Sequence, residues 1–176
     1  MPRRVAIYLL LGLFLVCEAG EAETLSRYHV KAAFLYNFLK FVDWPPQTLP
    51  QNSPYVVGVL GEDPFGAVLD STMQGKVING RRIIVVRVTE QNMQQCHLLF
   101  ICSSERRRYR EIHAKLQFAP VLTVGETEEF AENGGAIEFY MEGNKVRFEI
   151  NPEAAKRSNL RIDATLLDLA RIVRTR

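Results

Sequence analysis

Tyr55-Val-Val-Gly-Val-Leu60 is a short apolar run that halts at Gly61, and Asp63-Pro64 behind it reads as a helix cap with proline in the first turn. This strand-then-helix unit recurs. Ile83-Ile-Val-Val-Arg-Val88 is β-branched enough for a central strand, and His97 to Ile101 is another continuous apolar run. Ser103 and Ser104 are placed to cap a helix over roughly Glu105 to Phe118, and Val121-Leu-Thr-Val124 follows as a further short strand. Strands apolar on both faces and separated by helices predict an α/β three-layer sandwich, its mostly parallel sheet flanked by helices.

Outward from that core, Leu25 to Val42 carries Phe34, Leu35, Phe38, Phe41 and Val42 at the spacing of one helical face. Trp44-Pro45-Pro46 stops it, because proline cannot continue a helix and pushes its predecessor out of helical geometry. The second helix is expected from Asp63 to Met73, and Asn79-Gly80 suits a tight turn before the next strand. Ala136 to Met141 and Val146 to Ile150 flank Glu142-Gly-Asn-Lys145 and predict a C-terminal antiparallel hairpin. Asn151-Pro152 opens a helix, and Asp163 caps a last one with Ala164, Leu167, Ala170 and Ile172 or Val173 on its buried face.

Residues 1–22 read as an export signal. Arg3 and Arg4 supply the positive start, Val5 to Cys17 the apolar run, and Gly20-Glu-Ala22 the small residues before a cleavage after Ala22. The run is short of the roughly 20 residues a membrane-spanning helix needs. Residues 23–176 are then expected to form one α/β domain outside the cytoplasm, in the periplasm. Arg3, Arg4, Glu18 and Glu21 cancel, so the remainder keeps the net charge of +2, too mild to imply a nucleic-acid partner. Cys96 and Cys102 would share a face of one strand about 20 Å apart, beyond the roughly 7 Å a disulfide allows. They read as two buried thiols, leaving a bridge across a subunit contact or a rearranged strand end as the alternatives.

No catalytic, cofactor or metal constellation stands out. Gly58-Val-Leu-Gly61-Glu-Asp-Pro-Phe-Gly66 lies where a nucleotide loop would, but Leu60 replaces the second glycine of the dinucleotide fingerprint. His29, His97 and His113 are isolated, and no serine sits in a nucleophile elbow. Arg106, Arg107, Arg108 and Arg110, flanked by Glu105 and Glu111, read as a solvated helix face, with an acidic partner or membrane surface as the alternative. For a contact surface the candidates are Arg147 and Glu149 on the polar side of the hairpin, and Trp44 and Phe65 if exposed.

Several segments together resemble the YfiR family of periplasmic proteins. They are Lys31-Ala-Ala-Phe-Leu-Tyr-Asn-Phe-Leu-Lys-Phe-Val-Asp-Trp-Pro45, Val59-Leu-Gly-Glu-Asp-Pro-Phe-Gly66, Cys96-His-Leu-Leu-Phe-Ile101, Pro120-Val-Leu-Thr-Val124, Gly134-Gly135, Val146-Arg-Phe-Glu-Ile-Asn151 and Leu166-Leu-Asp-Leu-Ala170. The resemblance implies regulation rather than catalysis. The name-giving member binds the periplasmic sensor domain of an inner-membrane diguanylate cyclase and keeps it off, which lowers cyclic di-GMP and restrains biofilm formation. An outer-membrane lipoprotein can sequester it. Similar domains occur fused to membrane sensor kinases, so a periplasmic small-molecule sensor acting on another membrane partner, its ligand near the Gly61 to Gly66 turn, is the alternative reading. The family implies an α/β sandwich, often a homodimer. Its characterised members also carry structural disulfides, whereas here the position expected to pair with Cys96 holds Val57 and two further cysteines are missing.

Overall fold

The computed structural model describes residues 23–176; the expected leader and its cleavage after Ala22 lie outside the described residues. The chain runs through α1 (23–41), β1 (Val42–Asp43), β2 (Tyr55–Leu60), α2 (Ala67–Met73), β3 (Val77–Ile78) and β4 (Arg81–Val88). It continues through β5 (Leu98–Ile101), α3 (Tyr109–Leu116), β6 (Leu122–Gly125), β7 (Ile137–Glu142), β8 (Lys145–Ile150) and α4 (Pro152–Arg157). β9 (Arg161–Ile162), α5 (Ala164–Leu167) and β10 (Arg171–Ile172) complete it. An eight-stranded sheet has the order β10-β8-β7-β6-β5-β2-β4-β3, and β1 pairs with β9 in a separate two-stranded ribbon. The strands β7-β6-β5-β2-β4 are mutually parallel, while β7–β8 and β3–β4 are antiparallel.

Alternation along β5 shows why this sheet is covered twice. Leu98 and Phe100 join the apolar cluster beneath α1 and α2, and Leu99 and Ile101 join the one beneath α3. Successive side chains of a strand point to opposite faces, so a strand that is apolar throughout needs a layer on each side. α1 supplies the first layer with aromatic residues. Phe38 lies 5.7 Å from the ring of Phe139 and 5.2 Å from that of Phe148. In the second layer Phe130 fits only because Gly125 and Gly135 lack side chains; a Cβ at Gly135 would come within 2.1 Å of its ring.

The turn chemistry follows the sequence at three places. Asn79 and Gly80 both have positive φ, +50° and +78°, as a tight primed hairpin turn between β3 and β4 requires. α1 gives way at Val42, and a short 3-10 turn at Pro46–Thr48 follows the proline pair. The Asn151 side chain accepts from the Ala154 N–H at 3.1 Å and caps α4.

Three helix boundaries differ from expectation. α2 begins at Ala67 rather than Asp63, since the Asp63 carboxylate accepts from the Phe65 N–H at 2.8 Å in a local turn and Gly66 takes a non-helical φ of +53°. The helix expected from Glu105 to Phe118 is a 3-10 segment at Ser103–Arg108 followed by α3, and it closes before Phe118, whose φ is +67°. The last helix is the largest correction. Asp163 caps it through the Thr165 N–H at 2.7 Å, but α5 ends at Leu167, and Leu166 is its buried residue. Arg171 and Ile172 leave the helix to pair in parallel with Glu149 and Ile150 on the free edge of β8, and Ile172 is half exposed. Pairing here satisfies backbone groups on the free edge of β8 that another helical turn would leave unpaired.

Candidate functional site

The chain enters the sheet at β2, steps to β4 on one side and then to β5 and β6 on the other, so the strand order reverses between β2 and β5. In open α/β sheets the crevice at the carboxyl ends of such strands is where ligands bind. Here the chain itself fills part of it, while a groove of about 830 Å³ lined by Leu60, Gly61, Val88 and Glu105 stays open beside it. The Glu62 N–H donates to Ser104 Oγ at 3.0 Å, and a Cβ at Gly61 would stand 2.4 Å from that oxygen. Phe65 is buried edge-on against Phe100, ring centroids 4.8 Å apart. From α1, Lys31 reaches Glu126 at 2.5 Å, and the Tyr28 hydroxyl donates to the same carboxylate at 3.2 Å. Burial, and then the Glu126 charge, push the Tyr28 hydroxyl well above its usual range.

Trp44 is buried as well. Its Nε1 donates to the His97 carbonyl at 3.2 Å, and its ring meets Tyr55 edge-on. His97 accepts from the Val56 N–H through Nδ1, which leaves Nε2 to donate to the Thr48 carbonyl at 2.9 Å and fixes the tautomer. Burial holds its pKa below the usual histidine value. Trp44, Phe65 and His97 thus tie loops to the sheet, and the exposure that would make Trp44 and Phe65 contact anchors is not met. Cys96 and Cys102 are free and buried, and burial pushes their thiols up to about 11 and about 12, far from the reactive thiolate range.

The hairpin residues separate. Arg147 is exposed and donates through Nε to Glu142 at 3.1 Å. Glu149, expected beside it on an open polar face, is only 3% exposed. Arg171 of β10 covers it, donating from Nε at 2.7 Å, while the guanidinium lies 4.3 Å above the Tyr140 ring. Glu138, in register with Glu149 on β7, is 5% exposed and accepts from the Ala131 N–H at 3.0 Å. Burial, followed by the neighbouring Glu149 carboxylate, pushes Glu138 up to about 7. Sequence reading passed over this carboxyl pair because the cover on it, β10, was read as helix.

Where the start of α1 meets the hairpin, a groove of about 570 Å³ opens. Val30, Phe34 and Val146 give it apolar character, Arg27 and Lys145 line it with positive charge, and Arg147 borders it from the hairpin edge, its side chain directed to Glu142 on the opposite face. Arg27 is paired with Glu23 at 2.5 Å. Of the contact residues expected from sequence, Arg147 is the one placed here.

Residues 28–171 match the protein-family description YfiR/HmsC-like. The chain belongs to this family. Membership in the YfiR/HmsC-like family suggests a periplasmic regulator of diguanylate cyclase signalling. Among the described residues no helix is long and apolar enough to cross a membrane. Among solved structures the chain is similar to a conserved domain protein from Vibrio cholerae O1 biovar El Tor, with 11% identity, a TM-score of 0.53, and coverage of 71% of this chain and 56% of that one. It also matches an ABC domain from Streptococcus pneumoniae solved in complex with L-Trp, at 9% identity and a TM-score of 0.49, covering 74% and 57% of the two chains. The chain therefore spans little more than half the length of these structures, and the first likeness concerns the fold alone.

Proposed function

We propose that the protein is an exported periplasmic inhibitor that binds the periplasmic sensor domain of an inner-membrane diguanylate cyclase, lowering cyclic di-GMP and biofilm formation. The family match over residues 28–171 is the observation that carries this reading. The groove between α1 and the β7–β8 hairpin supports it with a recognition surface, since an apolar floor gives buried contact area and a charged rim gives orientation. Arg147 is the contact residue on that rim, and an outer-membrane lipoprotein able to sequester the protein would compete for the same surface. Trp44, Phe65 and Glu149 act from beneath, by holding the loops and hairpin in place. A ligand near the Gly61 to Gly66 turn is only the second reading, since Phe65 is buried against Phe100 there and Ser104 Oγ stands against Gly61.

Co-purification of residues 23–176 with the sensor domain, and cellular cyclic di-GMP after deletion of this chain, test the proposal. A complex and a rise in cyclic di-GMP are expected. Unchanged cyclic di-GMP together with no complex would contradict it.

A further inference from the structure

A second cavity, of about 420 Å³, lies at the carboxyl ends of β5 and β6, on the α3 side of the sheet. Arg106, Arg107 and Arg110 line it, at the entry to α3. All three are exposed, and none has an ion-pair partner among the described residues, whereas Arg108 between them is taken up by Glu90 and Glu105. The inner wall is a buried hydroxyl pair. Tyr109 and Thr127, the latter 8% exposed, share one hydrogen bond of 2.8 Å. Two hydroxyls joined by one hydrogen bond leave one proton undonated, at the back of a cavity already fronted by guanidinium groups.

The acidic residues along this wall do not cancel the charge. Glu129 is engaged by Arg176 at 2.8 Å, and Glu105 by Arg108 at 3.1 Å. Glu128 is the remaining carboxylate of the lining, so three cations face one anion. Guanidinium groups present paired N–H donors that match phosphate oxygens, and a phosphoryl group has enough oxygens to engage several arginines and a hydroxyl at once.

We infer that the cavity lined by Arg106, Arg107, Arg110 and Thr127 is an anion site for a phosphoryl group. The group belongs either to a small soluble phosphate compound or to an anionic lipid headgroup at the membrane surface. The site is separate from the groove assigned to the cyclase, so its loss would leave that assignment standing.

Thermal unfolding of residues 23–176 in inorganic phosphate, against sodium chloride at matched ionic strength, reads the site directly. A saturable rise in the unfolding midpoint is expected with phosphate and not with chloride. Arg107→Gln and Arg110→Gln each weaken the apparent affinity about tenfold, as loss of a charged hydrogen bond does. Glu128→Gln tightens it, and Arg108→Gln, which changes a cation outside the lining, leaves it unaltered. Co-sedimentation with phosphatidylcholine vesicles containing phosphatidylglycerol separates the sources: vesicle binding without a phosphate response assigns the site to lipid, and the converse to a soluble compound. The inference is overturned if neither probe binds, if the Arg106→Gln, Arg107→Gln, Arg110→Gln triple variant responds like the parent, or if Arg108→Gln loses as much as Arg110→Gln.

Discussion

On the side facing α1, the β7–β8 hairpin presents Phe139 and Phe148 to Phe38, and Ile137 and Ile150 beside them, all within one apolar cluster. The opposite side of the same hairpin carries Glu138, Arg147 and Glu149, of which only Arg147 stays in solvent. The first side is closed by a helix that precedes the sheet in sequence, the second by Arg171 of a short strand that arrives last. Apolar surface is satisfied by any apolar cover, but a buried carboxylate requires a specific cation and specific N–H groups. One side therefore carries most of the stability, and the other carries the sensitivity to charge.

Truncation on the apolar side is expected to have the largest effect. Phe38→Ala, which removes a fully buried ring stacked on Phe139 and edge-on to Phe148, should cost about 3–5 kcal/mol in urea unfolding. A loss below about 1 kcal/mol would mean that the aromatic layer is not the main support. On the polar side, Arg171→Ala leaves the Glu149 carboxylate buried without its cation. Because Arg171 is itself mostly exposed, the expected loss is smaller, about 1–2 kcal/mol. Glu149→Gln combined with Arg171→Ala should recover part of it, and no recovery would contradict the pairing.

The carboxyl pair sharpens the contrast through pH. Glu138 rises from an ordinary 4.5 to about 7 in the folded chain, so the native state holds that proton more tightly than the unfolded state. Its contribution is complete below about pH 4.5 and is lost as pH climbs through about 7. Subtracting the stability curve of Glu138→Gln from that of the parent isolates this component, which should fall across that window. A flat difference would show that Glu138 is ionised throughout.

The same contrast explains what the sequence disclosed. β2, β5 and β6 were legible because a strand apolar on both faces implies a sheet covered twice, and Asn79-Gly80 and Asn151-Pro152 marked their turn and cap by local chemistry alone. β10 was not legible, since Leu167, Ala170 and Val173 have helical spacing and only the free edge of β8 turns Arg171 and Ile172 into a strand. That error hid the burial of Glu149. Arg147 could be placed in solvent from alternation, but its neighbours in the groove, Val30 and Phe34, come from the other end of the chain and meet it only through the packing of α1. Trp44 and Phe65 looked like anchors because large aromatics beside prolines leave open which way the ring turns; both turn inward.

The smallest expected effect on folding accompanies the largest on recognition. Arg147→Glu reverses an exposed charge and should change stability by less than about 0.5 kcal/mol. Calorimetric titration of residues 23–176 against the periplasmic domain of the cyclase tests the central claim most directly. The parent should bind, and Arg147→Glu, with an unchanged unfolding midpoint, should bind about tenfold or more weakly. No binding by the parent, or equal binding by the variant, would contradict the account.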